Sequence, residues 1–300
     1  MFTSKTSLII PTKDRSKKLI KLLESLFRFK IKFGEILVID SSNKSHSKKV
    51  KTYCEKKNIR YFFSRPSTSY QRNIGLKKAK KFEFIMFMDD DVILYKNTFI
   101  RMNECINKNF NQLKIGGFGF NQVDKVNESL FDKLKKINFF DNLSIYPAKA
   151  GIVAKSGWHS KILNLKKDVL AEWVFTTICI YKRRDINGYK FDESFGKYSY
   201  LEDLDFSLNL KKKNKKIYIS SKAKFKHPLN VDRSNFSFGI IEIINRFKII
   251  NKHGLSKKLF VLGCLLRFII SVSKILTLNH KYFLRAMGNI YGFFLLSIKI

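Results

Sequence analysis

Residues 82–88 (FEFIMFM) form a nearly unbroken apolar run that stops abruptly on Asp89, Asp90 and Asp91. A run this short and this apolar reads as a strand covered on both faces, the kind found inside a parallel sheet. It commits the chain to a layered α/β architecture, because other elements must cover both sides. Three carboxylates at a strand's carboxyl end repel one another and require a counter-charge. That edge is also where open α/β sheets bind their ligands. Clustered carboxylate oxygens suit a hard divalent cation such as Mg²⁺ or Mn²⁺, an ion that often bridges to a diphosphate. A solvated acidic turn is the plainer alternative.

The same pattern runs upstream. Residues 7–10 are apolar and close on Pro11-Thr12, and over 17–29 Leu19, Ile20, Leu22, Leu23, Leu26 and Phe27 recur at helical spacing. Residues 35–40 (EILVID) repeat the strand and stop on Asp40, the polar SSNKS suits a loop and helix start, and 50–57 completes a second helix. A third strand over 59–63 and a third helix over 69–80 follow. Strands alternating with helices predict a doubly wound, mostly parallel, Rossmann-like sheet. Residues 11–15, Asp40 and Asp89 to Asp91 then share one edge.

Composition bounds the function more loosely. The 59 Lys and Arg against 24 Asp and Glu give a net charge of +35, which raises a nucleic-acid partner as one reading. The charge is mostly Lys, spread along the chain and accompanied by Ile, Asn and Phe, so a coding bias accounts for it equally well. A field of this sign also concentrates anionic lipid or phosphorylated substrates. The four cysteines, Cys54, Cys105, Cys179 and Cys264, form no CxxC pair; neither a zinc site nor a disulfide framework is indicated, and a reducing compartment follows. No charged-then-apolar signal precedes the first strand, so the expectation is cytoplasmic.

Downstream, 98–109 reads as a helix and 114–123 as a strand whose Gly116, Gly117 and Gly119 mark an edge or bulge. Residues 124–148 are the least readable and suit a loop over the site. Apolar runs occupy 151–158 and 171–181; Trp158, His159 and Trp173 suit either sugar stacking or ordinary core packing. Asn187-Gly188 is a turn, and Ser199 followed by Glu202 matches a capping box opening a helix. A first turn favours acids electrostatically, which explains Asp203 and Asp205 as well as Glu202. A strand over 216–220 leads to His227. Beyond 236, residues 240–250 are helical, and 259–278 are apolar enough to raise a membrane span. Arg267, Ser271, Lys274, Lys281 and Arg285 fall on one face, a basic stripe opposite a broad apolar face, which suits an in-plane interfacial helix. Spanning would place Arg267 in hydrocarbon at about 2.5–3.5 kcal/mol; a dimer face is a further reading.

SLIIPTKDR, ILVIDSS and YQRNIGLKKAKKFEFIMFMDDDV, in that order, resemble the nucleotide-sugar-binding half of glycosyltransferase family 2, whose members have the GT-A fold. The resemblance implies that Pro11, Thr12, Arg15 and Asp40 line the nucleotide pocket, with Asp40 accepting from the base. It implies that Arg72 and Asn73 help hold the pocket, that Asp89 and Asp90 frame the donor, and that Asp89 and Asp91, a DXD arrangement, hold a metal. Lys13-Asp14 stands where the family often has an aromatic followed by Asn. On residue type alone, Arg72 offers a planar fork suited to phosphate, and Asp40 suits a helix cap as well as a base.

The stretch FDESFGKYSYLEDLDFSLNLKKKNKKIYISSKAKFKH resembles the family's second signature. This implies Asp203 as general base with Glu202 beside it, and His227 completing the metal's shell. Trp158 and Trp173 would lie on the acceptor side.

The expectation is therefore a metal-dependent (Mn²⁺ or Mg²⁺) inverting glycosyltransferase. It would move sugar from a nucleotide-diphosphate sugar to a surface-polysaccharide, lipopolysaccharide or lipid-linked glycan precursor. Residues 1–110 would bind donor, 111–235 acceptor, and 236–300 the inner face of the cell membrane peripherally, with no nucleic-acid partner. Two rivals are a nucleotidyltransferase of similar fold, for which PTKDRSKK is a poor triphosphate loop, and a basic nucleic-acid-binding protein.

Overall fold

The computed structural model describes residues 1–124, 138–196, 199–228, 233–275 and 281–297. In chain order the N-terminal half holds β1 (Thr6–Thr12), α1 (Ser16–Arg28), β2 (Glu35–Asp40), α2 (Lys44–Lys56), β3 (Arg60–Phe63), α3 (Thr68–Lys78) and β4 (Phe84–Met88). Then come β5 (Ile93–Leu94), α4 (Thr98–Asn109), β6 (Ile115–Gln122) and the short α5 (Asn138–Asn142). The remainder comprises β7 (Val169–Ala171), β8 (Ile178–Lys182), α6 (Arg183–Ile186), α7 (Glu202–Lys212), β9 (Lys216–Lys226), α8 (Phe236–Lys252), α9 (Lys257–Ile275) and α10 (Lys281–Ser297).

Two compact units result, one of Met1–Asp124 with Ile162–Pro228, the other of Lys125–Lys161 with Leu229–Ile300. The first contains a sheet ordered β3-β2-β1-β4-β8-β6-β9-β5, with β7 added on β9. The four leading strands pair in parallel, as the alternating pattern predicts. Every residue of β1 and β4 is buried, so the apolar runs are indeed covered on both faces. Past β4 the sheet is mixed: β8 runs antiparallel between β4 and β6, while β6 and β9 are parallel. The two-residue β5 and three-residue β7 are too short for a periodic signal.

Local chemistry sets the helices on this sheet. Leu19, Leu22, Leu23 and Leu26 of α1 are buried, at the i, i+3, i+4 and i+7 spacing of a single covered stripe. Asn43 and Ser67 cap α2 and α3, accepting from the backbone N–H of His46 and Tyr70. Gly75 is where α3 lies closest to the sheet, and a Cβ there would run into Ile9 of β1. The glycine cluster of β6 is a bulge rather than an edge: the register slips between Ile115 and Gly117, yet the strand is flanked by β8 and β9. All four cysteines are buried and free.

The second unit packs Tyr146, Trp158, Ile243, Ile250, Phe260 and Cys264 into one core. Of the stretch 124–148 expected as a loop over the site, 125–137 lie outside the described residues, and α5 belongs to this unit. The apolar run at 151–158 forms a tight turn and not a strand. Gly151 and Gly157 take positive φ of 74° and 78°, and the Ala154 N–H donates to the Trp158 carbonyl at 2.8 Å.

The C-terminal helices overturn the expected amphipathic arrangement. Arg267, Ser271 and Arg285, read as an outward basic stripe, are buried; the side chains of Lys274 and Lys281 lie outside the described residues. The reason is Glu242 on α8, which accepts from Arg267 Nε at 3.2 Å and from Arg285 at 2.8 Å. Among the described residues, no helix is long and apolar enough to cross a membrane.

Candidate active site

The acidic loop leaves β4 with the Asp89 N–H donating to the Thr177 carbonyl at 2.8 Å. The three carboxylates then part ways. Asp90 turns inward and accepts from the Thr12 hydroxyl at 2.7 Å and from Arg15 at 3.2 Å. Burial pushes its carboxyl up to about 6, against the pull of Thr12 and Arg15. Asp91 accepts from Arg15 at 3.1 Å and from Lys18 at 3.4 Å, and its other oxygen lies 3.0 Å from His227 Nε2. Burial raises Asp91, but the hydrogen bond and charge of His227, with Arg15 and Lys18, outweigh it and hold the carboxyl below its usual range. His227 is the mirror case: burial lowers it, while Asp91 and Asp89 carry it above the ordinary imidazole value.

Asp89 points the other way, toward Arg72. That guanidinium is 2% exposed and donates to Asp89 at 3.0 Å and to Glu202 in a shorter contact. One arginine thus ties the acid loop after β4 to the first turn of α7, the two stretches that carry the family resemblance. Its Nε–H has no hydrogen-bond partner among the described residues. Burial depresses Arg72, but Glu202, Asp89 and Asp203 reverse this and raise it. Burial pushes Glu202 up to about 8, with Asp203 and Asp89 adding to the rise and Arg72 opposing it. Asp203 is only partly buried, and its Oδ1 accepts from the Leu204 N–H at 2.8 Å.

The capping box at Ser199 and Glu202 does not form. Leu201 is the residue that caps α7, and both it and Ser199 have left-handed backbone, with φ of 75° and 49°. The Ser199 hydroxyl donates to the Gly196 carbonyl at 2.8 Å, and the Glu202 carboxylate is held by Arg72 rather than by the helix's own N–H groups.

Other expected donor residues are occupied within the protein. Asp40 is fully buried and accepts from the Ser42 N–H at 2.8 Å and from the Tyr61 hydroxyl at 3.1 Å; it does not cap α2, which Asn43 does. Pro11 pairs within β1 opposite Ile39. Asn73 fastens α3 to the segment before α7, bonding Phe191 through both its N–H and its carbonyl and donating to Glu193 at 3.0 Å. Asp14, in the family's aromatic–Asn position, has φ of 53°, a left-handed conformation that Asp tolerates, and it accepts from the Asn43 N–H at 2.8 Å.

Trp158 and Trp173 are only 4% and 1% exposed. Trp158 is stacked against Phe260, and Trp173 meets Phe175 edge-on, so neither offers a free face to a sugar. Burial takes His159 well below its ordinary value, keeping it neutral. Lys18 is the site residue the sequence reading passed over; its position one turn into α1, after the loop facing Asp91, is the only signal for it.

Among the described residues no group of three or more His, Cys, Asp or Glu is gathered into a metal cage. Asp91 and His227 form the start of one. This carboxylate and imidazole, 3.0 Å apart, would suit a divalent ion that keeps waters, while Asp89 is turned to Arg72.

Comparison with known proteins gives the family and the fold. Residues 7–158 match the model for "Glycosyl transferase family 2". An uncharacterized glycosyltransferase of Rickettsia felis is 34% identical over 96 residues, 31% of this chain; the chain spans 16% of that protein's length, about a sixth. Among solved structures, the mannosyltransferase PcManGT from Pyrobaculum calidifontis, in complex with GDP-Man and Mn²⁺, superposes with a TM-score of 0.55 at 12% identity, covering 95% of this chain and 84% of that one. S. aureus TarS 1-349 gives 0.52 at 19% identity, covering 87% and 68%. GalNAc-T7 with UDP, GalNAc and Mn²⁺ gives 0.57 at 14% identity, covering 82% and 47%. Likeness at such identities carries the fold, which is GT-A. With half of the chain matched by the family model and the acid loop, bridging arginine and histidine assembled in the same unit, the chain belongs to glycosyl transferase family 2.

Proposed function

We propose that the protein transfers a sugar from a nucleotide-diphosphate sugar to a hydroxyl of a surface-polysaccharide, lipopolysaccharide or lipid-linked glycan precursor, with inversion. The observation that carries this is the Arg72 bridge between Asp89 and Glu202, next to Asp203, with Asp91 and His227 paired 3.0 Å apart. GDP-Man with Mn²⁺ in one similar structure, and UDP, GalNAc and Mn²⁺ in another, support the donor class and the metal.

Asp203 accepts the proton of the acceptor hydroxyl. It stands in the first turn of α7, where the helix dipole favours the ionised form that a base requires. The hydroxyl oxygen bonds to the anomeric carbon as the bond to the diphosphate oxygen breaks, and the nucleoside diphosphate leaves with the electron pair; a single displacement inverts the carbon. Arg72 holds the donor side and the base side at fixed separation and has its Nε–H left for a donor oxygen. Arg15 and Lys18 add positive charge where the diphosphate gathers negative charge. Asp91 and His227 would hold Mn²⁺ or Mg²⁺, Asp89 joining them only by turning from Arg72, and a bound ion would supply Lewis-acid stabilisation of the leaving group. Thr12 and Asp90 keep the loop in place, and Asp40 with Pro11 shapes the wall for the base. The same reading puts the protein in the cytoplasm, peripheral on the inner face of the cell membrane.

A thermal-shift screen of nucleotide sugars with Mn²⁺ tests the donor reading; at least one should raise the melting temperature, and none doing so would refute it. Asp203→Asn should lower turnover by about 10²–10⁴-fold, the range for a lost general base, with donor binding retained. Undiminished turnover in that variant would remove Asp203 from the role.

A further inference from the structure

The C-terminal helices are built inside out. Glu242 of α8 is buried and gathers Arg267 of α9, and Arg285 and Asn289 of α10. What these helices turn outward is apolar. On α9, Leu262, Leu265, Ile269 and Val272 recur as one stripe, with Leu265 57% exposed. On α10, Phe283, Met287, Ile290 and Phe294 do the same, with Phe294 55% exposed. A protein in water does not leave two such continuous stripes uncovered.

Charge identifies what covers them. No acidic residue follows Glu242 in the sequence, and the turn from α8 to α9 exposes Lys252, Lys257 and Lys258. A chain of net charge +35 repels a second copy of itself and is drawn to an anionic surface. Each stripe occupies one face of its helix, which suits lying in a bilayer's interface.

We propose that α9 and α10 lay their outward stripes into the acyl margin of an anionic bilayer, with the α8–α9 lysines among the headgroups. This rests on the peripheral-membrane part of the functional reading and changes the contacting face from the basic stripe to its apolar opposite.

The test is flotation of the full chain with vesicles of phosphatidylcholine, with and without phosphatidylglycerol. The expected result is binding that favours phosphatidylglycerol, survives added salt in part, and falls by about tenfold or more in the double variant Leu265→Glu with Ile290→Glu. Circular dichroism and the nucleotide-sugar thermal shift, measured on the same variant, should not change. Three results would overturn the proposal: no flotation, flotation indifferent to the two glutamates, or a lipid-free dimer in sedimentation equilibrium that the glutamates dissociate. Flotation without any nucleotide-sugar binding would sink the sugar-transfer reading and leave this one standing.

Discussion

Arg72 is the residue on which the site's geometry turns. It is buried between two carboxylates contributed by residues 17 and 130 positions away. Removing one member of a buried, hydrogen-bonded charge set leaves the others uncompensated and costs roughly 3–5 kcal/mol. Arg72→Ala should therefore lower the melting temperature and abolish turnover. Arg72→Lys keeps the charge but lacks the planar fork that reaches two carboxylates at once. It should recover most of the melting temperature while turnover stays depressed; a lysine variant with full activity would show that charge alone suffices.

At the scale of elements, two packings lend themselves to test. Gly75 is where α3 meets β1, and Gly75→Val should destabilise the protein by about 1–3 kcal/mol through overpacking against Ile9, measured by urea denaturation. In the C-terminal helices, burial raises the Glu242 carboxyl, but Arg267, Arg285 and Arg246 overwhelm it and hold it well below its ordinary value. A carboxyl lowered on folding contributes stability that is complete above its unfolded value of about 4.3 and is lost as pH falls below it. Helical circular dichroism should therefore fall as the pH drops from about 4.3. In Glu242→Gln that loss should already be present at neutral pH, and the pH dependence should flatten. An unchanged acid transition in the variant would contradict this role for Glu242.

For the molecule as a whole, legibility followed the kind of burial each segment has. Strands covered on both faces read as unbroken apolar runs, so β1, β2 and β4 and their parallel direction could be read directly, while β5 and β7 are too short to carry a period. Spacing failed where polar residues face inward. Arg267 and Ser271 lie on α9 and Arg285 on α10, and their spacing cannot show that Glu242, on α8, draws both arginines inside. The capping-box pattern at Ser199 and Glu202 failed for a similar reason, because Arg72, distant in sequence, takes the carboxylate. The pairing of Asp91 with His227 was suggested by family resemblance, since no local rule joins residues 136 positions apart.

The central claim is that the acid loop, His227 and α7 serve one donor site. Calorimetric titration of a nucleotide-diphosphate sugar, with and without Mn²⁺, into the wild-type protein and His227→Ala tests it most directly. The account predicts that Mn²⁺ strengthens donor binding in the wild type and that most of this gain disappears in His227→Ala. Donor binding indifferent to both the metal and the substitution would contradict it.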